Sequence, residues 1–370
     1  MPARPASNDR RRAHPTRAAA VAFGAVGLAA ATVLALTGCA GGAASGEASG
    51  PRIVATTTQV ADFTRELVGD VDGVEVEQLL QPGQSAHSFD PSAAQLAAIA
   101  GADALVVNGA GLESWLDDAI DAAGYAGPVI DASTGIELEH TGDDHDHEHG
   151  TEAHGAIDDE ASADDAHDDE ASDDDHAHTD GNPHIWTDPA LAAVMVGTIA
   201  DGLAEVPGID AATVADAETT YLGRLADLDA WIRTDLAQVP VDDRLLVTNH
   251  DAFTYFLHAY DVTLVGSVIP SFDDNAEPSA AEMDQLVADI RATGVQAVFA
   301  EDAISPKTAE TIAREAGVTV YSGEDALYGD SLGQPGTEGE TYLGSQVHNV
   351  RLMLESWGVA ASEPPASLRG

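Results

Sequence analysis

The stretch IVATTTQVADFTRELVGD, residues 53–70, decides the fold class of this chain. Its first five residues are mostly apolar or β-branched, which predicts a short buried strand over 53–57. Val60, Phe63 and Leu67 then recur at helical spacing, which predicts a helix directly after the strand. A strand that leads straight into a helix is the repeating unit of a parallel sheet, so the stretch predicts an α/β protein.

The same alternation of strand and helix continues to the end of the chain. Further strands are predicted at 74–80, 104–107, 129–130, 245–248, 262–265, 297–300 and 318–321. Helices are predicted at 92–100, 112–123, 191–203, 211–236, 251–259, 279–293, 306–316 and 341–357. We therefore predict an α/β fold of two parallel-sheet lobes joined by one long helix, with a ligand site in the cleft between the lobes.

Residues 137–180 interrupt this pattern. They hold 19 Asp and Glu and eight His, with no Lys or Arg and almost no large apolar side chain. Such a segment cannot bury enough apolar surface to offset its chain entropy, so we predict a disordered insertion rich in His and acid. The predicted layout is an N-terminal lobe at 51–188 that contains this insertion, connecting helices at 189–240, and a C-terminal lobe at 241–360.

The first residues have the arrangement of a secretory signal. Five arginines precede an apolar stretch at 18–36, which runs into Leu36-Thr37-Gly38-Cys39. A lone cysteine after such a triplet resembles a bacterial lipobox, which implies a signal peptide at 1–38, a lipid on Cys39 and a flexible tether at 39–50. We therefore expect an extracytoplasmic lipoprotein anchored to the outer face of the cell membrane. An ordinary signal peptide and an N-terminal membrane anchor are the alternatives, and the export route stays open.

The composition excludes one class of partner and favours another. The 370 residues include 64 Asp and Glu against 15 Lys and Arg, a formal net charge of −49. Nucleic acid is excluded as a partner, because phosphate backbones are neutralised by Lys and Arg. The excess of carboxylates favours cation binding or simple solubility. Cys39 is the only cysteine, so the chain cannot form an intramolecular disulfide, and core packing, alone or with a bound metal, must hold the fold. We expect a monomer.

Histidines mark a candidate metal site. Outside the signal region and the insertion there are five, and three of them, His87, His184 and His250, lie in loops after predicted strands or between prolines. Ligand sites of open α/β sheets form outside the carboxyl ends of the strands, so these imidazoles are placed to meet between the lobes. Neutral imidazole is a good zinc ligand, and zinc takes about four ligands in a tetrahedron. Asp330, in a Gly-rich loop after the last strand, is the best candidate for the fourth.

Spacing alone leaves ordinary roles open for each of these side chains. A single histidine is more often a surface or core residue than a ligand, and an aspartate in such a loop is more often part of a turn. We assign the ordinary role to His258 and His348. Glu113 and Glu301 lie in loops close to strands, where a role beside the ligands, a docking role and a plain surface position all stay open. Trp186 is expected to pack beside the cleft.

Five blocks of sequence carry a resemblance to a known family. They are PGQSAHSFDPS (82–92), NGAGLESWL (108–116), NPHIWTDP (182–189), TNHDAFTYF (248–256) and YGDSL (328–332). In this order they resemble the metal-specific solute-binding proteins of bacterial ABC importers, the zinc/manganese class. The resemblance extends over nearly the whole chain from Arg52 to Gly358, and the block around His184 is the most specific.

The resemblance implies that His87, His184, His250 and Asp330 occupy the family's four metal-ligand positions. A histidine at the third position, as in His250, resembles zinc members, whereas manganese members tend to carry an acidic residue there. The chemistry agrees, since three imidazoles suit Zn²⁺ and Mn²⁺ prefers oxygen-rich sites. The chain departs from the family at Ser85-Ala86, where Asp-Pro is frequent, and it cannot form the second-lobe disulfide common among zinc members.

We therefore expect a non-enzymatic protein that captures Zn²⁺ as a transported ligand and delivers it to the permease of an ABC importer. The long helix should keep closure small, and affinity should fall below about pH 6 because imidazoles must be neutral to bind. A secreted zinc chaperone or adhesin is one alternative, and a zinc hydrolase, which needs an open coordination position, is another. The insertion is either a solvated spacer or a weak metal-collecting loop, and tight binding should survive its removal.

Overall fold

Strands alternate with helices along both halves of the chain, which confirms the predicted α/β fold. The computed structural model describes residues 50–69, 71–139 and 181–369. The predicted signal peptide, Cys39 and nearly all of the predicted insertion lie outside these residues. The strands are β1 Arg52–Ala55, β2 Glu75–Gln78, β3 Ala104–Val107, β4 Val129–Asp131, β5 Leu245–Thr248, β6 Thr263–Ser267, β7 Ala297–Phe299 and β8 Thr319–Tyr321. The helices are α1 Thr58–Val68, α2 Ala93–Ala100, α3 Leu116–Ala123, α4 Pro189–Ala204, α5 Ala211–Leu236, α6 Thr254–Tyr260, α7 Ala280–Thr293, α8 Lys307–Ala316 and α9 Tyr342–Ser356.

The N-terminal half is built on one four-stranded parallel sheet with the strand order β2-β1-β3-β4. Val54 in the middle of β1 lies opposite Glu77 on one side and Leu105 on the other. The central strands are apolar and buried, as expected for a parallel sheet covered on both faces. Because all four strands run the same way, their carboxyl ends open at one edge, and His87 follows β2 at that edge.

The C-terminal half contains two shorter parallel ladders, β5 with β6 and β7 with β8. The β5–β6 ladder shifts register between Leu246 and Val247. Helices α7 and α8 cover the ladders through a separate apolar cluster, whose members include Val298, Leu286 and Ile312. His250 comes directly after β5 and Glu301 shortly after β7, so this half also presents polar side chains at the carboxyl ends of its strands.

Helix α5 connects the two halves. It has 26 residues and so extends about 39 Å, and its bounds agree with the prediction at both ends. Asp210 caps its first turn by accepting hydrogen bonds from two backbone amides. Its apolar face packs on α1, α4 and α9, and Arg224 pairs with Glu66 of α1. The helix therefore has partners in both halves.

The starts of α2 and α3 can be compared with the starts predicted from the sequence. Ser92 caps α2 as predicted, through a capping box with Gln95. The helix predicted to begin at Leu112 begins only at Leu116. The carboxylate of Glu113 instead accepts hydrogen bonds from the backbone of Asn108 and Gly109, which holds residues 108–113 in a loop. Within the part of the chain that the structure describes, no helix is long and apolar enough to cross a membrane.

Candidate metal centre

Four side chains converge between the two halves. One ligand atom from each of His87, His184, His250 and Asp330 lies within 4.8 Å of the other three. His184 Nε2 is at the middle, 3.2 Å from His87 Nε2, 3.3 Å from His250 Nε2 and 2.9 Å from Asp330 Oδ1. These are the four residues that the sequence singled out. Two come from the N-terminal half and two from the C-terminal half.

His184 is fixed by the residues around it. It lies between Asn182 and the short 3₁₀ turn Ile185–Thr187 that leads into α4. Its backbone N–H and its ring Nδ1 both contact Asn182 Oδ1, at 3.1 and 2.7 Å. Because the backbone N–H can only donate, Oδ1 is the acceptor for both groups, and Nδ1 carries the proton. The lone pair of the neutral ring is then on Nε2, which faces the other three side chains.

His250 is fixed in the same way by a different group. Its backbone N–H and its ring Nδ1 both donate to Glu301 Oε1, each at 2.9 Å. The hydroxyl of Thr248 donates to the His250 carbonyl oxygen at 2.7 Å. Histidine and carboxylate are both fully buried. A carboxylate that accepts from the ring nitrogen remote from a metal is the usual outer partner of a zinc-ligating histidine.

His87 and Asp330 complete the cluster. His87 is the only partly exposed member of the four, and Trp115 and Ser114 hold its loop by donating to the carbonyl oxygens of Ala86 and His87. The carboxylate of Asp330 is fully buried. Within the described residues neither of its oxygens has a hydrogen-bond partner. A buried carboxylate without donors is costly, so its surroundings favour a cation.

The electrostatics of the two buried histidines differ. Burial lowers the pKa of His184 to about 4 against the opposing effect of Asp330, so this ring is neutral at physiological pH. Burial also acts to lower the pKa of His250, but the charges of Asp330 and Glu301 outweigh it and raise the pKa well above the usual value. Burial would raise the pKa of Asp330, but His250 and His184 outweigh it and hold the pKa well below the usual range.

The donor set fits a four-coordinate cation. A tetrahedron with Zn–N bonds of about 2.0–2.1 Å has edges of about 3.3–3.4 Å. The distances from His184 Nε2 to the other two Nε2 atoms, and from His250 Nε2 to Asp330 Oδ1, are 3.2, 3.3 and 3.3 Å. The contacts of Asp330 lie on either side of this length, at 2.9 Å to His184 Nε2 and 3.8 Å to His87 Nε2. Three imidazole nitrogens and one carboxylate are therefore close to the spacing of a four-coordinate zinc site.

Other residues behave differently from the sequence-based interpretation. Glu113 and Glu301 are 7% and 2% exposed, so a plain surface position is wrong for both. Glu113 accepts hydrogen bonds from Thr56 Oγ1 and from the backbone of Asn108 and Gly109, and it does not reach the cluster. The sequence does indicate burial for both, because each glutamate follows the carboxyl end of a buried strand.

The remaining sequence candidates lie near the cluster or apart from it. Trp186 is buried and packs edge-on against the His184 ring, with ring centroids 5.2 Å apart. His258 pairs with Glu139 on an exposed face of α6, and His348 lies 3.0 Å from the Ala326 carbonyl oxygen. Neither of these two histidines joins the cluster.

Comparison with known proteins points to one family. The sequence model described as "ZnuA: Zinc-uptake complex component A periplasmic" matches residues 53–356. The zinc-binding lipoprotein AdcA of Streptococcus pneumoniae is 28% identical over 309 residues, which cover 82% of this chain and 55% of AdcA. The chain thus spans about half the length of the AdcA relatives that it matches.

Other relatives differ in the metal that they are named for. The manganese-binding lipoprotein MntA of Halalkalibacterium halodurans is 26% identical over 313 residues, which cover 83% of this chain and 88% of MntA. Among solved structures, the periplasmic zinc-binding protein TroA of Treponema pallidum matches with a TM-score of 0.68 at 22% identity, over 83% of this chain and 99% of TroA. The structural match shows a shared fold.

Proposed function

We propose that this chain, which belongs to the ZnuA family of periplasmic zinc-uptake components, captures Zn²⁺ outside the cytoplasm and delivers it to the permease of an ABC importer. The family is one of solute-binding components and not of enzymes, in agreement with the expectation from the sequence. His87, His184, His250 and Asp330 are the proposed ligands. Zinc is the transported cargo and not a resident cofactor.

The observation that carries this proposal is the convergence of four potential ligand atoms within 4.8 Å of one another. Asn182 and Glu301 accept the Nδ1–H of His184 and His250, so the Nε2 atom of each ring points at Asp330 and at the other ring. The Nε2 atom of the neutral His184 ring is an acceptor that faces Asp330 Oδ1 at 2.9 Å, which is unfavourable unless a cation lies between them. Four protein donors also meet the number that zinc takes, which supports capture over a hydrolytic site with an open position for water.

Zinc is proposed over manganese because of the chemistry of the donors. Mn²⁺ prefers oxygen-rich sites, whereas three imidazole nitrogens and one carboxylate suit Zn²⁺. The contacts of His184 and His250 also restrain both rings, so the site is pre-formed for a small four-coordinate ion. The names of the relatives include both metals, so the preference rests on the site.

The remaining parts of the proposal concern the whole protein. We propose a monomer with an N-terminal lobe at 51–188 and a C-terminal lobe at 241–360. We further propose a lipid anchor on Cys39, which the lipoprotein names of relatives support. The packing of α5 on helices of both halves supports small movements on closure.

The test is native mass spectrometry of the full-length protein in detergent, titrated with Zn²⁺ against a competing chelator. We expect one tightly bound zinc, and we expect His184→Ala to lose more than the roughly 10–100-fold that removal of an outer partner costs. His258→Ala is the matched control, because His258 lies on an exposed face away from the cluster. A parallel titration with Mn²⁺ tests the preference.

Three outcomes would count against the proposal. Tight zinc binding that survives in His184→Ala would contradict the ligand set. Tighter binding of Mn²⁺ than of Zn²⁺ would retain the site and reject its assignment to zinc. Turnover of ester or peptide substrates that requires bound zinc would favour the hydrolase.

A further inference from the structure

The loop that carries Asp330 is held by the opposite half of the protein. The carbonyl oxygen of Gly329 accepts hydrogen bonds from Gln59 Nε2 and Trp186 Nε1, each at 3.2 Å. The backbone N–H of Leu332 donates to Thr58 Oγ1 at 2.8 Å. All three partners belong to the N-terminal half, although Asp330 follows the last strand of the C-terminal half.

The two groups held by α1 are the ones that ordinarily close a turn. In a four-residue turn the carbonyl of the first residue bonds to the N–H of the fourth. In residues 329–332 these groups are the Gly329 carbonyl and the Leu332 N–H, and they bind the side chains of Gln59 and Thr58. The conformation of the two residues between them, of which Asp330 is the first, is therefore set by two consecutive residues of α1.

Thr58 and Gln59, which we call the α1 clamp, also orient each other. The Thr58 hydroxyl donates to Gln59 Oε1 at 2.9 Å while it accepts from Leu332. With Oε1 occupied in this way, the amide NH₂ of Gln59 faces the Gly329 carbonyl. Both residues are buried, at 4% and 1% exposure, so each lost hydrogen bond would leave an unsatisfied buried group. The mutual bond therefore sets which group of each clamp residue faces the loop.

Little else can adjust around this loop. A Cβ atom on Gly329 would lie 2.1 Å from Glu301 Oε2, so glycine is required for the loop to pass the carboxylate that holds His250. On the other side, the Ser331 hydroxyl accepts from the Gly83 N–H at 2.8 Å, in the loop that leads to His87. The Asp330 loop is thus enclosed by the supports of the other ligands.

We propose that Thr58 and Gln59 are positioning residues that hold the Asp330 carboxylate at its ligand position through the backbone of residues 329–332. The inference rests on the proposed function, because it concerns the fourth ligand of the same site. The clamp acts only through Asp330, so its loss leaves three histidines that still bind Zn²⁺. The expected effect is about tenfold weaker binding, at the lower end of the range for outer partners of a metal site, because Trp186 still binds Gly329.

The experiment is a double-mutant cycle in the full-length protein. Zn²⁺ affinity is measured by chelator competition for Thr58→Val, Gln59→Met, Asp330→Ala and each pair. The matched control is Thr64→Val, because Thr64 is a fully buried threonine of the same helix whose hydroxyl donates to Val60 within the helix. We expect each clamp variant to weaken binding about tenfold alone but less than about twofold in the Asp330→Ala background.

A second readout separates positioning from general stability. Co²⁺ bound in place of Zn²⁺ reports its coordination by visible absorption, and both clamp variants should shift that spectrum toward the spectrum of Asp330→Ala. Thr64→Val should leave it unchanged, and Thr58→Ser, which keeps the hydroxyl, should restore it. Full additivity with Asp330→Ala, or an unchanged affinity in both clamp variants, would overturn the proposal. If Asp330→Ala itself binds as tightly as the parent, the ligand set fails and the clamp fails with it.

Discussion

The loops of His184 and His250 each orient a buried histidine, but they use different hydrogen-bond acceptors. In each, one oxygen accepts both the backbone N–H and the ring Nδ1–H of a fully buried histidine. In the N-terminal half the oxygen belongs to the neutral amide of Asn182, and in the C-terminal half it belongs to the carboxylate of Glu301. The pKa of His184 is lowered to about 4 by burial, whereas charges raise the pKa of His250.

The two loops differ because the second polar atom of the acceptor side chain differs, Nδ2 in Asn182 and Oε2 in Glu301. Asn182 uses Nδ2 to donate to the Asp251 carbonyl oxygen at 2.8 Å and to Thr254 Oγ1 at 3.0 Å, both in the opposite half. A carboxylate has no such donors. Glu301 has a second oxygen without a partner within the described residues, and it contributes charge. One loop therefore joins the halves, and the other raises the basicity of a ligand.

We expect the largest effect when Asn182, whose side chain joins the two halves, is replaced by aspartate. Asn182→Asp replaces two donors by an oxygen that faces the Asp251 carbonyl, and each buried group left unsatisfied costs about 1–3 kcal/mol. We expect the metal-free protein to lose about 2–4 kcal/mol of unfolding free energy, measured by urea denaturation with chelator present. Asn275→Asp, at an exposed position, is the control. A metal-free Asn182→Asp protein as stable as the parent would show that these cross-half donors contribute nothing.

A smaller effect is expected when charge alone is removed from the second loop. Glu301→Gln keeps an acceptor for His250 but removes the negative charge that raises the pKa of that ring. We expect Zn²⁺ binding at pH 8 to weaken about tenfold, measured by chelator competition. Glu282→Gln is the control, because Glu282 caps α7 at an exposed position and lies outside the cluster of four ligands.

The pH dependence of Zn²⁺ affinity in the same variant tests whether Glu301 raises the pKa of His250. A raised pKa leaves His250 protonated in the metal-free protein at neutral pH, so Zn²⁺ must displace that proton, and affinity rises about tenfold per pH unit as the pH approaches the raised pKa from below. In Glu301→Gln the pKa of His250 falls, so the Zn²⁺ affinity of the variant should depend less on pH than that of the parent. The ratio of parent affinity to variant affinity should therefore shrink toward pH 6. Parallel curves for variant and parent would contradict this assignment. His184, with a pKa of about 4, does not set the window.

The metal-free protein should show the opposite trend in stability. Because the pKa of His250 is raised on folding, its contribution is fully present below about pH 6.5 and is lost as pH rises through the raised pKa. For Zn²⁺ affinity, the sequence predicted a loss below about pH 6, which follows from the pKa of a free imidazole. The charges of Asp330 and Glu301 move that window upward.

The sequence predicted the parts of this site that depend on local order. Periodicity placed α5 at residues 211–236, and the ends of buried strands marked the loops of His87 and His250. Contacts between residues far apart in the chain left no such mark. The bond from Gln59 to Gly329 spans 270 residues, and no local pattern distinguishes Gln59 from any other glutamine near the start of a helix. The burial of Glu301 is also a tertiary property, since its partner is His250 in the loop after β5.

The smallest effect is expected from the segment between the described parts of the chain. Asn182 N–H donates to the Glu139 carbonyl oxygen at 2.8 Å. The Tyr255 hydroxyl accepts from the Glu139 N–H and donates to the Asn182 carbonyl oxygen. The described ends of the segment are thus joined to each other and to the opposite half, so we expect the support of His184 to persist without the residues between them.

Removal of residues 140–180, with Glu139 joined to Gly181 through a short Gly-Ser linker, tests this independence. We expect Zn²⁺ affinity to stay within about threefold, or about 0.7 kcal/mol, by chelator competition. Gly181 must be kept, because a Cβ there would lie 2.4 Å from Leu138 Cβ. If tight binding disappears with the segment yet survives in His184→Ala, then zinc is held by the histidines and carboxylates of the segment. The comparison between the two histidine loops would then concern the architecture of the cleft and not the capture of the metal.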